Sequence, residues 1–223
     1  MTKDTHQPQK RQRAPSQRSL ETRTRILDAA ERVFAHHGYD GASIREIATE
    51  AETQLGLVHH HGGGKEALFQ KTVARRAHQL SEARLQALAE ARTCGPLTLR
   101  TVLKAFFQPY MELSRTGPQW LAYARLVAHV SADPRWRDIA AECFDPTAQI
   151  FLDEIAVLLP AKSRAELATG FVFAVSAMLA LFTSHWRITA LGKEAPDPSE
   201  QLDHLVSYCA AGLSSAPGVE KSD

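Results

Sequence analysis

Apolar positions recur with a helical period along almost the whole chain, and no stretch alternates apolar and polar residues long enough to suggest a sheet. Ile26, Ala29, Ala30, Val33, Phe34 and His37 share one helical face, and Gly38 follows where a helix end favours a residue free to take positive φ. Ser43-Ile44-Arg45-Glu46 reads as a capping box opening a short second helix to about Ala51. A third short helix is expected from Thr53 or Gln54 to about His61, broken by Gly62-Gly63-Gly64. Lys65 then opens a long fourth helix whose buried stripe is Phe69, Val73, Ala77, Leu80, Ala87 or Leu88, and Ala91. Beyond Gly95-Pro96 the pattern predicts helices near 97–115, 118–131, 134–143, 146–159, 163–191 and 199–214, separated by proline-containing turns. The predicted fold class is all-α.

One segment, Leu167 to Trp186, runs twenty residues without a formal charge, a length that matches a bilayer span. Thr169, Ser176, Thr183, Ser184 and His185 interrupt it, so a core helix buried on most sides is expected instead, and no membrane partner.

Charge is balanced overall, with 26 Lys and Arg against 25 Asp and Glu, yet it is unevenly placed. Residues 1–20 carry Lys3, Lys10, Arg11, Arg13 and Arg18 against Asp4 alone, with almost nothing aliphatic, which predicts a disordered basic arm. Cys94, Cys143 and Cys209 are far apart and show no zinc spacing, which suits free buried thiols in a reducing cytoplasm. The N-terminus has charge but no apolar core of a secretory signal.

Candidate chemistry gathers in LVHHHGGGKEALF, Leu57 to Phe69. A phosphate loop of the form G-x-x-x-x-G-K-[ST] fails, because His59 stands at the first glycine position and Glu66 at the hydroxyl position. An esterase oxyanion loop needs a G-x-S-x-G elbow, and Gly212-Leu213-Ser214-Ser215-Ala216 lacks the second glycine. Three consecutive histidines on a helix point about 100° apart and do not converge on one ion. No metal, cofactor or enzymatic activity is expected.

The chain from Thr22 to Ala48 (TRTRILDAAERVFAHHGYDGASIREIA), continued by Gly56-Leu57-Val58 and Lys65-Glu66-Ala67-Leu68-Phe69, resembles the DNA-binding domain of the TetR/AcrR family of bacterial transcriptional regulators. The histidine–glycine stretch then falls at the end of the recognition helix and the turn after it. The resemblance implies a three-helix helix-turn-helix domain over residues 21–68, a helical ligand-binding and dimerisation domain over 69–214, and a flexible tail over 215–223.

It also implies roles. In this frame Gln54 is placed to bond an adenine edge, Leu57 or Thr53 to meet a thymine methyl, and Gly56 to allow close approach. His59 and His60 lie near the groove or backbone, and Ser43, Arg45 and Lys65 are phosphate candidates. Leu55 and Val58 read as core, and Arg45 equally suits pairing with a neighbouring acid. Residues 1–75 hold 12 basic and 9 acidic residues, a surplus supplied by the arm, so double-stranded DNA binding would lean on local placement and on the arm.

Phe106, Phe107, Tyr110, Met111, Trp120, Tyr123, His129 and Phe173 are the expected lining of a small-molecule effector pocket, with Arg125 and His129 placed to meet an acidic effector. Ala174, Ala177, Leu181, Leu205 and Tyr208 are expected at a homodimer interface. The implied function is a ligand-responsive repressor released from a palindromic operator by a small apolar or acidic effector. Two departures from the family's pattern support an alternative, a ligand binder of the same fold with impaired DNA binding. Glu52 stands where the family commonly has glycine, a substitution expected to strain the turn or alter its shape. Gly62 stands where the family has a buried Phe, leaving a core that is either looser or closed by His61 and Phe69.

Overall fold

The computed structural model describes residues 16–193 and 197–215. Eleven α-helices and one 3-10 turn fill the described residues, and no strand occurs among them. The first helix, α1, runs Gln17–Gly41, capped by Ser16, whose hydroxyl accepts from the Ser19 amide at 3.3 Å. Gln17 to Leu20 are thus the first turn of a helix and not part of an arm: a hydroxyl cap satisfies orphan amides there. Of the arm expected over residues 1–20 and the tail expected over 215–223, residues 1–15 and 216–223 lie outside the described residues.

Gly38, at φ +67°, kinks the end of α1 and starts the turn into α2, Ile44–Glu50. Ser43 caps α2 by accepting from the Glu46 amide at 3.1 Å. The reciprocal half of the expected capping box is missing, because the Glu46 carboxylate reaches His37 Nε2 at 2.8 Å instead. Then come α3, Leu55–Gly62, and α4, Lys65–Cys94.

These four helices close around Ile26, Phe34, Ile47, Val58, Leu68 and Phe69. Residues far along the chain complete that core. Phe69 packs edge-on to Phe34 at 5.0 Å and to Tyr39 at 5.4 Å, and Trp136 meets Phe69 and Tyr39, both at 4.6 Å between ring centres. Leu126, Val130 and Ile139 join from the same side.

The remaining elements are α5 (Leu99–Ser114), α6 (Gln119–Ala132), the 3-10 turn Pro134–Trp136, α7 (Arg137–Cys143), α8 (Asp145–Leu158), α9 (Arg164–Thr183), α10 (His185–Gly192) and α11 (Pro198–Ser214). The helix expected over 163–191 is broken at Ser184, whose backbone leaves the helical region at φ −121°, ψ 18°. Thr183 there turns its hydroxyl back to the Leu179 carbonyl at 3.0 Å, a bond that competes with regular helix hydrogen bonding. A second core, centred on Leu103, Phe106, Phe107, Tyr110, Phe151, Ile155, Phe171 and Met178, fills this half.

Helix α9 is long and apolar enough to cross a membrane by length and composition, but it packs Leu167, Phe171, Ala174 and Met178 into that core. It is not buried on most sides as its composition suggested. Val172 and Phe173 face outward because only one stripe of the helix meets the body. The thiols are free, with Cys209 buried, Cys143 half-buried and Cys94, contrary to expectation, exposed at the end of α4.

At the junction of α1, α4 and α6, Arg76 Nε donates to both carboxylate oxygens of Glu31, at 3.2 and 3.0 Å, and its guanidinium lies 5.4 Å from the Trp120 ring centre. Burial raises the Glu31 carboxyl above its usual range even with Arg76 opposing. Arg135 grips Asp40 through two bonds of 3.1 and 2.8 Å, tying the 3-10 turn to the α1–α2 loop. Trp136 contributes the larger share of this joint. Trp136→Ala should lower unfolding stability by about 3–5 kcal/mol, read as a reduced urea midpoint, because the vacated space lies between helices that have little freedom to collapse.

Candidate functional site

The α2–α3 turn is built by hydrogen bonds that demand a left-handed residue. Glu52 N–H donates to the Thr49 carbonyl at 3.0 Å and Thr53 N–H to the Ala48 carbonyl at 3.0 Å, the paired closure of a Schellman motif. Glu52 occupies its left-handed position at φ +48°, the strain that its sequence context predicted. The turn keeps its shape with a glutamate in it.

Helix α3 buries Val58 and Gly62 and exposes the rest of its surface. Gln54, Gly56, Leu57, His59 and His60 are exposed together there, and Thr53 is half-buried at the entrance. Leu55, expected in the core, is 39% exposed beside them, because the Gln54 cap turns the first residue of α3 outward. A Cβ placed on Gly56 meets no protein atom, so this glycine is not required by the chain's own packing.

The loss of a ring at Gly62 is compensated locally. A Cβ there would lie 3.1 Å from Leu68 Cδ1, so Leu68 occupies the space beside Gly62. Phe69 closes the core with Trp136, and His61 does not take part as expected: it is half-exposed, paired edge-on with His60 at 4.9 Å. Burial, with the nearby positive groups His60, Arg23 and Lys71, holds the His61 imidazole below its usual pKa. Lys71 Nζ caps the end of α3, donating to the His61 and Gly62 carbonyls at 3.1 and 3.0 Å.

The flanking cations differ in freedom. Arg45 is exposed on the first turn of α2 and forms no ion pair among the described residues. Lys65 is committed: it donates to the Asp40 carbonyl at 3.2 Å and lies over the Tyr39 ring at 4.6 Å. The Ser43 hydroxyl holds the α2 cap.

A second feature lies inside the helical body. A cavity of about 280 Å³ is lined by α4 to α9, and of the expected effector-pocket residues Phe106, Tyr110 and Tyr123 are among its walls. Phe107 and Trp120 are fully buried in the core without reaching it, and Met111 lines a different hollow beside Lys104 and Asp203. Phe173 is 68% exposed on the outside, because its neighbour Phe171 takes the inward position on α9. His129 and Arg125 sit on the outer face of α6 and do not reach the cavity. The charged group that does is Arg84. Its sequence signal is a basic residue on the buried stripe of α4, four residues from both Leu80 and Leu88. Larger hollows, such as the 500 Å³ groove beside Arg32, His36 and Glu46, are open and polar-rimmed.

Residues 26–72 match the family described as bacterial regulatory proteins, tetR family, and residues 104–212 match the tetracyclin repressor-like C-terminal domain. The chain belongs to the TetR family. It is a transcriptional regulator with a helix-turn-helix and is not an enzyme. Its relatives include the HTH-type transcriptional repressor AcnR of Corynebacterium efficiens, 37% identical over 73 residues, or 31% of this chain and 39% of that repressor. The match therefore spans about two fifths of that relative's length. The HTH-type transcriptional regulator BetI of Brucella canis is 24% identical over 198 residues, covering 89% of this chain and 94% of the relative. Among solved structures, a TetR-family regulator from Bordetella parapertussis superposes with a TM-score of 0.65 at 18% identity, over 88% of this chain and 98% of that one. A TetR-like regulator from Rhodococcus sp. RHA1 gives 0.59 at 20% identity, over 92% and 100%.

In this TetR-family body the expected dimer residues divide. Ala174 and Leu205 are buried in the chain's own core, because α9 and α11 pack those faces on each other and on α5. Ala177 and Leu181 are half-buried against it, and Tyr208 is 69% exposed. Among the described residues the most exposed large apolar side chains are Tyr208, Val172 and Phe173 of α9, Trp186 and Leu191 of α10, and Val157 of α8.

The left-handed turn yields a direct test. Glu52→Gly should stabilise the protein by about 1 kcal/mol, raising the thermal midpoint by roughly 2–4 °C, since glycine takes positive φ without the steric penalty. An unchanged or lowered midpoint in scanning calorimetry would show that the turn carries no such strain.

Proposed function

We propose that the chain is a ligand-responsive, dimeric repressor that acts on DNA in the cytoplasm and leaves a palindromic operator when a small apolar or acidic effector binds. The observation that carries this reading is the exposed face of α3, where the side chains of Gln54, Leu57, His59 and His60 and the open Gly56 face outward together while Val58 anchors the helix from behind. A helix presented this way enters a major groove, with Gln54 offering a bidentate amide to adenine and Leu57 an apolar contact to thymine. Arg45 and the amide end of α2 face the same task at the phosphates. The residue counts support reliance on the basic N-terminal residues for charge, so affinity should fall steeply with salt.

The apolar surface of α9 to α11 supports a two-fold dimer, because exposed side chains of this size on several neighbouring helices mark an interface. Two α3 helices then read two half-sites, and a ligand that favours another spacing of the heads releases them. The alternative of a ligand binder without specific DNA recognition rests on Glu52 and Gly62. The Schellman turn formed around Glu52 and the Leu68 contact at Gly62 favour the regulator over it.

Fluorescence anisotropy on DNA from the chain's own upstream region, against a scrambled duplex at two salt concentrations, tests the regulator. Gly56→Ala sharpens it: the substitution should stabilise the fold by up to about 1 kcal/mol while weakening operator affinity on the order of tenfold. Affinity that rises or holds with stability would remove α3 from the interface. Phe173→Glu should shift the mass measured by light scattering from two protomers to one.

A further inference from the structure

Arg84 presents a physical problem that the protein alone leaves unsolved. Only 9% of it is exposed, yet among the described residues no carboxylate pairs with it. Its Nε donates to the Phe106 carbonyl at 2.9 Å, its Nη2 approaches the Met178 sulfur at 3.6 Å, and its guanidinium stacks 3.7 Å from the Phe106 ring centre. A buried cation with neutral partners is strongly disfavoured unless an anion joins it. The guanidinium lines the 280 Å³ cavity, and beside it stands the Tyr123 hydroxyl, fully buried and without a hydrogen-bond partner. Tyr110 is not equivalent, because its hydroxyl already donates to the Trp120 carbonyl at 2.8 Å. Burial lowers the Arg84 pKa to about 10, which leaves the group charged at neutral pH. The other charged wall residue is Asp145, which is exposed and forms no ion pair with Arg84.

We propose that this cavity binds an organic monoanion, a carboxylate on a compact apolar body, with the carboxylate on Arg84 and the Tyr123 hydroxyl donating to it. The rest of the wall suits such a body: Leu80, Val127, Phe171 and Leu179 supply apolar contact. At about 30 Å³ for each liquid water, the space holds at least nine or so non-hydrogen atoms, a medium-length or single-ring carboxylate. The pairing is charge-assisted and removes two unmet polar groups at once, so the anion is selected over a neutral molecule of the same shape. This names the effector class of the ligand-responsive reading above and rests on it.

The test uses the full chain and four probes: octanoate and phenylbutanoate, with octanol and octylamine as uncharged and cationic counterparts. Calorimetric titration should give the carboxylates at least tenfold tighter binding than octanol, with octylamine weakest. Arg84→Met should abolish that preference while leaving octanol binding within about twofold. It should also raise the ligand-free thermal midpoint by roughly 2–4 °C, because an unpaired buried charge is gone. Tyr123→Phe, which keeps the ring, should weaken octanoate about threefold to tenfold and carries the test if Arg84→Met fails to fold. Equal binding of octanoate and octanol, no binding of either carboxylate, or a carboxylate preference that survives Arg84→Met would each overturn the proposal. Operator binding by the ligand-free protein and by Arg84→Met is measured alongside. Failure of the unmutated chain to prefer carboxylates, with its operator binding intact, refutes only this inference, and absence of operator binding in both proteins refutes the regulator.

Discussion

The molecule hangs on one helix that belongs to two cores. Helix α4 runs thirty residues, about 45 Å at 1.5 Å per residue, without a break. Its first turns bury Leu68, Phe69 and Val73 among the α1–α3 side chains, and its later turns bury Leu80, Arg84 and Leu88 in the body. An uninterrupted helix transmits rotation and translation along its axis, so neither core can shift without moving the other. Trp136, the Glu31–Arg76 pair and the Arg135–Asp40 contact brace the same joint from the side.

That arrangement sets the cavity and α3 in a definite relation. Arg84 lies nineteen residues from the start of α4, while near that start Lys65 holds the end of α1 at Asp40 and Lys71 holds the end of α3. The buried Glu31–Arg76 pair stands between, two turns from Arg84 on the same helix. Such pairs contribute little net stability but are intolerant of displaced geometry. A change in the surroundings of Arg84 therefore has a stiff, continuous route to the base of α3, the physical precondition for an effector to bias DNA binding.

Periodicity made the helical architecture legible because an amphipathic helix writes its burial every three or four residues. The ends were legible where Gly38, Gly62–Gly64, Gly95 and the prolines interrupt that rhythm. Ser184 interrupts the apolar run without marking a helix end, since a serine inside such a run does not by itself end a helix. Three cavity walls, Phe106, Tyr110 and Tyr123, were found from aromatic bulk alone, and Phe107, Trp120 and Phe173 were misplaced by the same reasoning. Aromatic character predicts burial but not which face of the core a ring reaches. Arg84 was passed over because a charge on an apolar stripe interrupts the very pattern used to find the stripe.

The sequence by itself determined the all-α class through its helical period, and its resemblance to the TetR pattern marked the helix-turn-helix, the strained turn at Glu52 and, Leu55 apart, the outward residues of α3. Each follows from contacts within a few residues, where spacing and side-chain chemistry suffice. Only the tertiary structure decided that Trp136 completes the small core, that Leu68 fills the room at Gly62, and that Phe173 faces out while Arg84 faces in. Those outcomes depend on helices far apart in the chain coming to share one close-packed space, and packing is settled by volume and by competition among neighbours rather than by local pattern.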